Sequence, residues 1–507
     1  MCDEIALPKN EEKWYYQPPK ISRSESIKSS IKKDDTRRLL VEVNVPNNIP
    51  ADTHTITLLI ENLDGGEPLK KIALNIDVKD ISLDYSLKDK YELFIYTKLG
   101  LDLNVGRENS FNNGQHNIGD GDYQIENYFA HATEIEKKGF NGVFMMDWRP
   151  SYVEDALNIL NVVGLDRAII YGRPVVKEGI KVLTEDLVKT IRRKGFEPIF
   201  YGYDEPGGNE KVKQQLTLNS RLHNLGAKSI NAVFWNDISN IEKNIINESQ
   251  EFDYLTISMG SNGHRKFFKS LPMLGSENDI KFLAYWHPHV ENPMRNRLFM
   301  GFWLWASGLD GVSPHAYYIL PHVARYNKEG KDNSRGPLSP YNDFSMWDNP
   351  KGIFRQHSTV YPNEKGFTST LQWEAISEGV TDLVLLKQLE KLIENDRLKH
   401  RAQNGLELLQ EIRSDVLTVQ SSSFSDRQIK KFNLYMNDWR NRIRKLILEY
   451  NKELAFIEKS RDKLNNPKFL SQAPEKVVAE LRKKVENTEK ILIVTKNQIV
   501  KLEKSLN

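Results

Sequence analysis

Eight short apolar runs alternating with amphipathic helical stretches across residues 90–395 predict an α/β chain built on a (β/α)8, or TIM, barrel. A run of alternating polar and apolar residues before it predicts a small β-sandwich, and unbroken helical periodicity after Trp373 predicts a helical hairpin or coiled-coil tail. A doubly wound open sheet is the alternative to the barrel. It is disfavoured because the strand count reaches eight and no Gly-x-Gly-x-x-Gly loop follows the first strand.

Residues 1–37 are polar and rich in Lys, Ser and Pro, and read as an irregular tail. Residues 38–88 hold RLLVEVNVP, THTITLLIENL and KKIALNIDVKDISL, the last two separated by the turn former Asp64-Gly65-Gly66. The barrel is assigned to residues 89–395. Its strands are expected at ELFIYT (92–97), GVFMM (142–146), AIIY (168–171), PIFYGY (198–203), INAVF (230–234), YLTIS (254–258), FLAYW (282–286) and GVSPHAY (311–317). Helices are expected between them, among others at 123–138, 151–163, 181–195, 209–225 and 294–307. The last region, 396–507, follows a helix at 370–395 and contains helices at 398–417, 426–464 and 475–505. Pro467 and Pro474 break the last two apart.

Twenty Tyr, 21 Phe and 9 Trp supply a core and exclude wholesale disorder. The formal charge of +2 favours no polyanionic partner for the whole chain. Residues 421–507, however, carry 20 basic and 11 acidic side chains, a net of +9, which leaves −7 on the rest. Cys2 is the only cysteine, so no intramolecular disulfide or cysteine-based metal site can form. No stretch approaches the ~18 apolar residues of a spanning helix, and no signal peptide is visible. A cytoplasmic location is the default, and a mature exported chain would look the same.

Catalytic groups of such barrels sit where strands end. Here those ends read Asp147-Trp148-Arg149, Tyr203-Asp204-Glu205-Pro206, Trp235-Asn236-Asp237, Trp286-His287-Pro288-His289 and His315-Ala316-Tyr317-Tyr318. Asp204 and Glu205 are the sharpest pair, because adjacent carboxylates after a buried strand repel and split their pKa values. The structural alternative is a pair of acids opening the helix that starts near Asn209.

The DEP triplet at 204–206, RLFMGFWLW at 297–305, GLDGV at 308–312 and LQWEAISEG at 371–379 together resemble glycoside hydrolase family 123 and the wider set of barrels related to it, over roughly residues 40–395. That family comprises β-N-acetylgalactosaminidases with substrate-assisted retention. The resemblance implies Glu205 as general acid/base and Asp204 as the group orienting a 2-acetamido substituent, with no metal and no cofactor. It implies a glycan or glycoconjugate substrate bearing an N-acetylhexosamine. The alternative is a non-catalytic carbohydrate-binding or structural protein on a barrel scaffold.

Asp147, Tyr203, Trp235, Asn236, Trp286, His287, His315 and Tyr317 are the expected substrate contacts, with core packing the alternative for each aromatic ring. Trp303, Trp305 and Trp373 lie in helical patterns and are assigned to packing. A metal at His287-Pro288-His289 or Asp120-Gly121-Asp122 is not expected, since neither has a completing ligand set. The basic tail is read first as a solvated hairpin on the barrel flank, then as a homo-oligomer contact through 475–505, then as a site for an anionic surface, glycan or nucleic acid. Its mixed charge and few aromatics argue against specific nucleic-acid recognition. Because it follows the last barrel helix, it is expected to be removable without loss of the cleft.

Overall fold

The structure is a computed structural model that describes residues 2–3, 20–21, 43, 45–46, 49–61, 70–97, 121–145, 153–171, 185–203, 209–233, 252–258, 264–288, 293–317, 359–363, 366–395, 402–418 and 426–486. Two short strands, β1 (Cys2–Asp3) and β2 (Lys20–Ile21), join β13 (Val360–Asn363) and β14 (Gly366–Thr370) in a four-stranded antiparallel sheet. Strands β3 (Thr53–Ile60) and β4 (Lys70–Asp77) pair antiparallel, with alternating exposure, as the expected sandwich segment.

All eight predicted barrel strands form. They are β5 (Glu92–Thr97), β6 (Gly142–Met145), β7 (Arg167–Tyr171), β8 (Ile199–Tyr201), β9 (Lys228–Val233), β10 (Tyr254–Ser258), β11 (Lys281–Tyr285) and β12 (Gly311–Val312). Parallel pairing closes them in sequence, with β12 against β5. Strands covered on both faces read as continuous apolar runs, which is why the sequence marked them so plainly.

Outside the barrel lie α1 (Gly121–Lys137), α2 (Val153–Val163), α3 (Glu185–Arg193), α4 (Asn209–Asn224), α5 (His264–Asn278), α6 (Pro293–Leu298) and α7 (Leu304–Ser307). Helix α6 runs through a π-helical turn, Phe299–Trp303, into α7, so the expected 294–307 helix forms with a widened centre. Gly301 sits where it does because a side chain there would meet the Gly379 carbonyl at 2.6 Å. The two glycines let α8 (Leu371–Ile393) lie directly on this run. Trp303, Trp305 and Trp373 are buried, as their helical spacing implied.

Alternation and register place Phe94, Tyr96, Phe144, Ile169, Ile199, Tyr201, Ile230, Leu283 and Tyr285 on the lumen side. At the N-terminal floor Glu92 pairs with Arg167 at 3.2 Å and with Lys281. That end of such barrels serves stability.

Helices α9 (Ala402–Leu417) and α10 (Asp426–Asn465) follow, then α11 (Pro467–Gln472) and a helix at 475–486. The first half of α10 is part of the core. Phe432, Met436, Trp439, Ile443, Ile447 and Tyr450, spaced by three and four, are all buried in the same apolar cluster as the barrel. Arg297 from α6 donates to Asp382 of α8 at 2.6 Å and to Asn437 of α10 at 2.8 Å, and Arg440 of α10 donates to Asp382 and Glu378. Asp382 is fully buried. The expectation of a removable tail is therefore corrected: α10 packs on the core cluster from Phe432 as far as Leu454. No helix among the described residues is long and apolar enough to cross a membrane.

Candidate functional site at the barrel mouth

The C-terminal end of the lumen is a layer of rings. Tyr96 stacks on Phe144 with centroids 4.0 Å apart, and meets Tyr201, Tyr285 and His315 edge-on or tilted at 6.4, 5.8 and 5.2 Å. His287 lies 5.2 Å from the Tyr285 ring and 5.3 Å from the His315 ring. The Tyr285 hydroxyl and His287 Nε2 share a hydrogen bond of 3.2 Å. These groups converge because the chain continues alongside the barrel after β12: Ser313 N donates to Ala284 O, His315 N to Trp286 O and Tyr317 N to Tyr96 O. Ser313, two residues beyond lumen-facing Gly311, is fully buried, and its hydroxyl has no hydrogen-bond partner among the described residues.

Among the described residues the ring layer itself carries no charged side chain. Burial pushes His287 down to about 4, against the opposing pull of the His315 backbone carbonyl, so its imidazole is uncharged at neutral pH. A neutral imidazole offers one N–H and one lone pair, the equipment for polarising a carbonyl or hydroxyl. Arg295, in the first turn of α6 after the seventh strand, is a desolvated cation. Its guanidinium lies 5.1 Å over the Phe299 ring, its Nε has no hydrogen-bond partner among the described residues, and burial lowers it to about 10.

The structure separates the residues expected from sequence. Asp147, Asp204, Glu205, Trp235 and Asn236 lie outside the described residues. Tyr203 is half-buried immediately after β8. Its backbone N–H donates to Gln215 Oε1 at 2.6 Å, and a buried relay runs on from Gln215 to Asn219 and from Asn219 to Asn231. Side chains of α4 thus pin the strand end that leads to residue 204. His287 and His315 come together at the mouth. Trp286 and Tyr317 are both buried among the described residues, packed as the core alternative for aromatic rings implies. Trp286 alternates with Tyr285 to the outside, is 3% exposed, packs edge-on against Phe299 and donates to Asn296 Oδ1 at 3.3 Å. Tyr317 is fully buried beside Trp373, with its hydroxyl 3.0 Å from His131 Nδ1.

Sequence reasoning passed over Tyr96, Tyr201 and Tyr285. The available signal was the period of two: each stands at a lumen-side position late in its strand. Among the described residues no group of three His, Cys, Asp or Glu is arranged to hold a metal.

His131 carries a pH signature. Burial pushes it down to about 4 in the fold, against about 6.5 in an unfolded chain. The neutral form is the one the fold accepts, so this contribution is complete above pH 6.5 and is lost as pH falls towards 4. Urea unfolding of the wild type is expected to lose about 3 kcal/mol across that window from this group. A His131→Phe variant is expected to show a visibly shallower decline. Equal pH slopes for the two proteins would show that His131 is not the sensor.

A family model, the Valyl tRNA synthetase tRNA binding arm, matches residues 436–503, a small part of the chain. No curated protein matches. The barrel is similar to N-acetylneuraminate lyase from Fusobacterium nucleatum (11% identity, 71% of this chain and 99% of that one, TM-score 0.29) and to that from Mycoplasma synoviae (13%, 69% and 98%, 0.29). A putative dihydrodipicolinate synthetase from Pseudomonas aeruginosa is similar at 11% identity, over 70% and 99% of the chains, with TM-score 0.30. The expectation of a glycoside hydrolase is corrected here: these neighbours are lyases and a synthetase, and two of the aromatic rings expected to stack on sugar are core residues. At such scores the neighbours assign no reaction to this chain. What stands is a closed (β/α)8 barrel.

Proposed function

We propose that the chain is an enzyme that binds a small oxygen-bearing molecule at the C-terminal mouth of its barrel, with Tyr285, His287 and His315 as the groups that hold and polarise it. The observation that carries this reading is the 3.2 Å contact between the Tyr285 hydroxyl and His287 Nε2 on the lumen side of the seventh strand. A tyrosine bonded to a neutral imidazole can pass hydrogen-bond donation to a carbonyl or hydroxyl without charging a desolvated site. Buried Ser313 adds a hydroxyl with bonding capacity to spare. Kinship with the wider set of barrels related to family 123 belongs to this reading, on the order of the four shared motifs, without that family's hydrolysis.

The test is a thermal-shift screen of small hydroxy acids, oxo acids and phosphate esters on the whole protein. A ligand that stabilises the wild type is expected to bind about tenfold more weakly to Tyr285→Phe, the cost of one hydrogen bond in a dry site. Ligands that bind Tyr285→Phe and His287→Ala as tightly as the wild type would place binding elsewhere.

A second reading concerns the helices after residue 426: they contact the phosphate backbone of a nucleic acid. It is favoured by the net charge of +9 over residues 421–507 and by the match of 436–503 to a tRNA binding arm.

A further inference from the structure

From the end of its docked half outward, starting at Lys445, α10 carries a row of lysines along one face, with Glu449 among them. Lys445, Lys452, Lys459 and Lys463 are all exposed, and none forms an ion pair with any described residue. With Phe456 they fall at successive spacings of seven, four, three and four, which on an α-helix is one face. Phe456 is 48% exposed in the middle of the row. The opposite face is the apolar one, where Ile443, Ile447, Tyr450 and Ile457 are buried. The row covers ~27 Å of helix at 1.5 Å per residue. It differs from the proximal part of the helix, where Arg440 is neutralised by Asp382 and Glu378, and Arg442 by Glu411.

Four lysines on one face outnumber Glu449, the acid that shares it, and leave that face with a net positive charge suited to a polyanion. We propose that this face, Lys445–Lys452–Phe456–Lys459–Lys463, is the surface on which the protein holds a folded RNA, the lysines on phosphates and Phe456 against an unstacked base. The proposal rests on the nucleic-acid reading of the arm and gives it an address. Lysine contacts to phosphate carry no sequence information, and aromatic stacking accepts any base. The surface therefore suits sequence-tolerant binding, in keeping with the mixed charge of the segment. A membrane surface fits less well: interfacial helices need a broad apolar face beside the cations, and here one ring interrupts four lysines.

The experiment uses the full chain, unfractionated transfer RNA as probe, and vesicles of mixed phosphatidylserine and phosphatidylcholine as the competing surface. Binding is measured across a salt series for the wild type, for a combined Lys452→Ala, Lys459→Ala, Lys463→Ala variant, and for Phe456→Ala. Each residue is exposed, so melting temperatures are expected to stay unchanged. The lysine variant is expected to bind at least about tenfold more weakly at moderate salt, and to lose about three from the slope of log affinity against log salt. Phe456→Ala is expected to bind more weakly with the slope intact, because stacking releases no counterions. Wild-type binding that the lysine variant retains in full overturns the assignment of this face but leaves the arm as an RNA contact. No binding of transfer RNA by the wild type overturns both. Vesicle binding that exceeds RNA binding and disappears in the lysine variant replaces RNA with a lipid surface.

Discussion

A chain ending at residue 420 is expected to be insoluble, whereas a chain ending at residue 465 is expected to fold. The shorter chain removes Phe432, Met436, Trp439, Ile443, Ile447 and Tyr450 from the flank of the barrel, all of them buried in its core cluster. At ~1.5–3 kcal/mol for each large apolar side chain, that loss is on the order of 10 kcal/mol, comparable with the whole stability of a typical domain. It also strips Arg440 from Asp382, a carboxylate with no exposure, and leaves the apolar surface of α6 and α8 open to water. The longer chain keeps every one of those contacts and loses only α11 and the residues beyond it. Soluble yield and a far-ultraviolet melting curve for the two truncations separate the outcomes. A cooperative, monodisperse melt from the chain ending at 420 would return the helical region to the status of an appendage.

The sequence reading located the barrel but misjudged where it stops, and the reason is physical. Buried parallel strands advertise themselves: YLTIS and ELFIYT have few polar interruptions, and they form at Tyr254–Ser258 and Glu92–Thr97. Helix α5 forms with Pro272 and Gly275 inside it, because tertiary packing overrides their low helix propensity. Gly275 is required by close approach, since a side chain there would meet the Ile280 carbonyl at 2.5 Å. The stripe on α10 is ambiguous in kind. Apolar residues at spacings of three and four are equally the seam of a hairpin and the footprint of a helix on a barrel, and only the partner's shape decides.

The mouth was legible in part for a similar reason. His287 and His315 follow strands directly, and the rule that strand ends carry function found them. Tyr96, Tyr201 and Tyr285 lie within strands, where a tyrosine reads as core, and closure of the barrel is what turns them towards one point. Trp286 shows the limit of reading strand ends without the two-residue period. One position from Tyr285, it faces the helices and not the lumen.

The other large effect is expected at Asp382. It sits at zero exposure between Arg297, whose Nε and Nη2 donate to it at 2.6 and 3.3 Å, and Arg440. Burial by itself disfavours the Arg440 charge, yet Asp382 and Glu378 beside it hold the guanidinium above its ordinary range. Asp382→Ala leaves two desolvated cations facing an empty space. Arg297 would retain Asn437, and Arg440 would retain Glu378. Removing one partner of a buried pair typically costs about 3–5 kcal/mol, so the urea midpoint should fall steeply. High salt should rescue little, since ions in solution screen buried charges poorly. Replacing the whole triad with apolar side chains, Arg297→Met, Asp382→Leu and Arg440→Met together, should recover most of the loss, because no charge then remains to desolvate. The comparison separates two roles for the cluster. If the triple variant is as stable as the wild type, the network fixes the register of α10 on α6 and α8 more than it stabilises the fold. A triple variant weaker than Asp382→Ala would show instead that the ion pairs themselves hold the helix to the barrel.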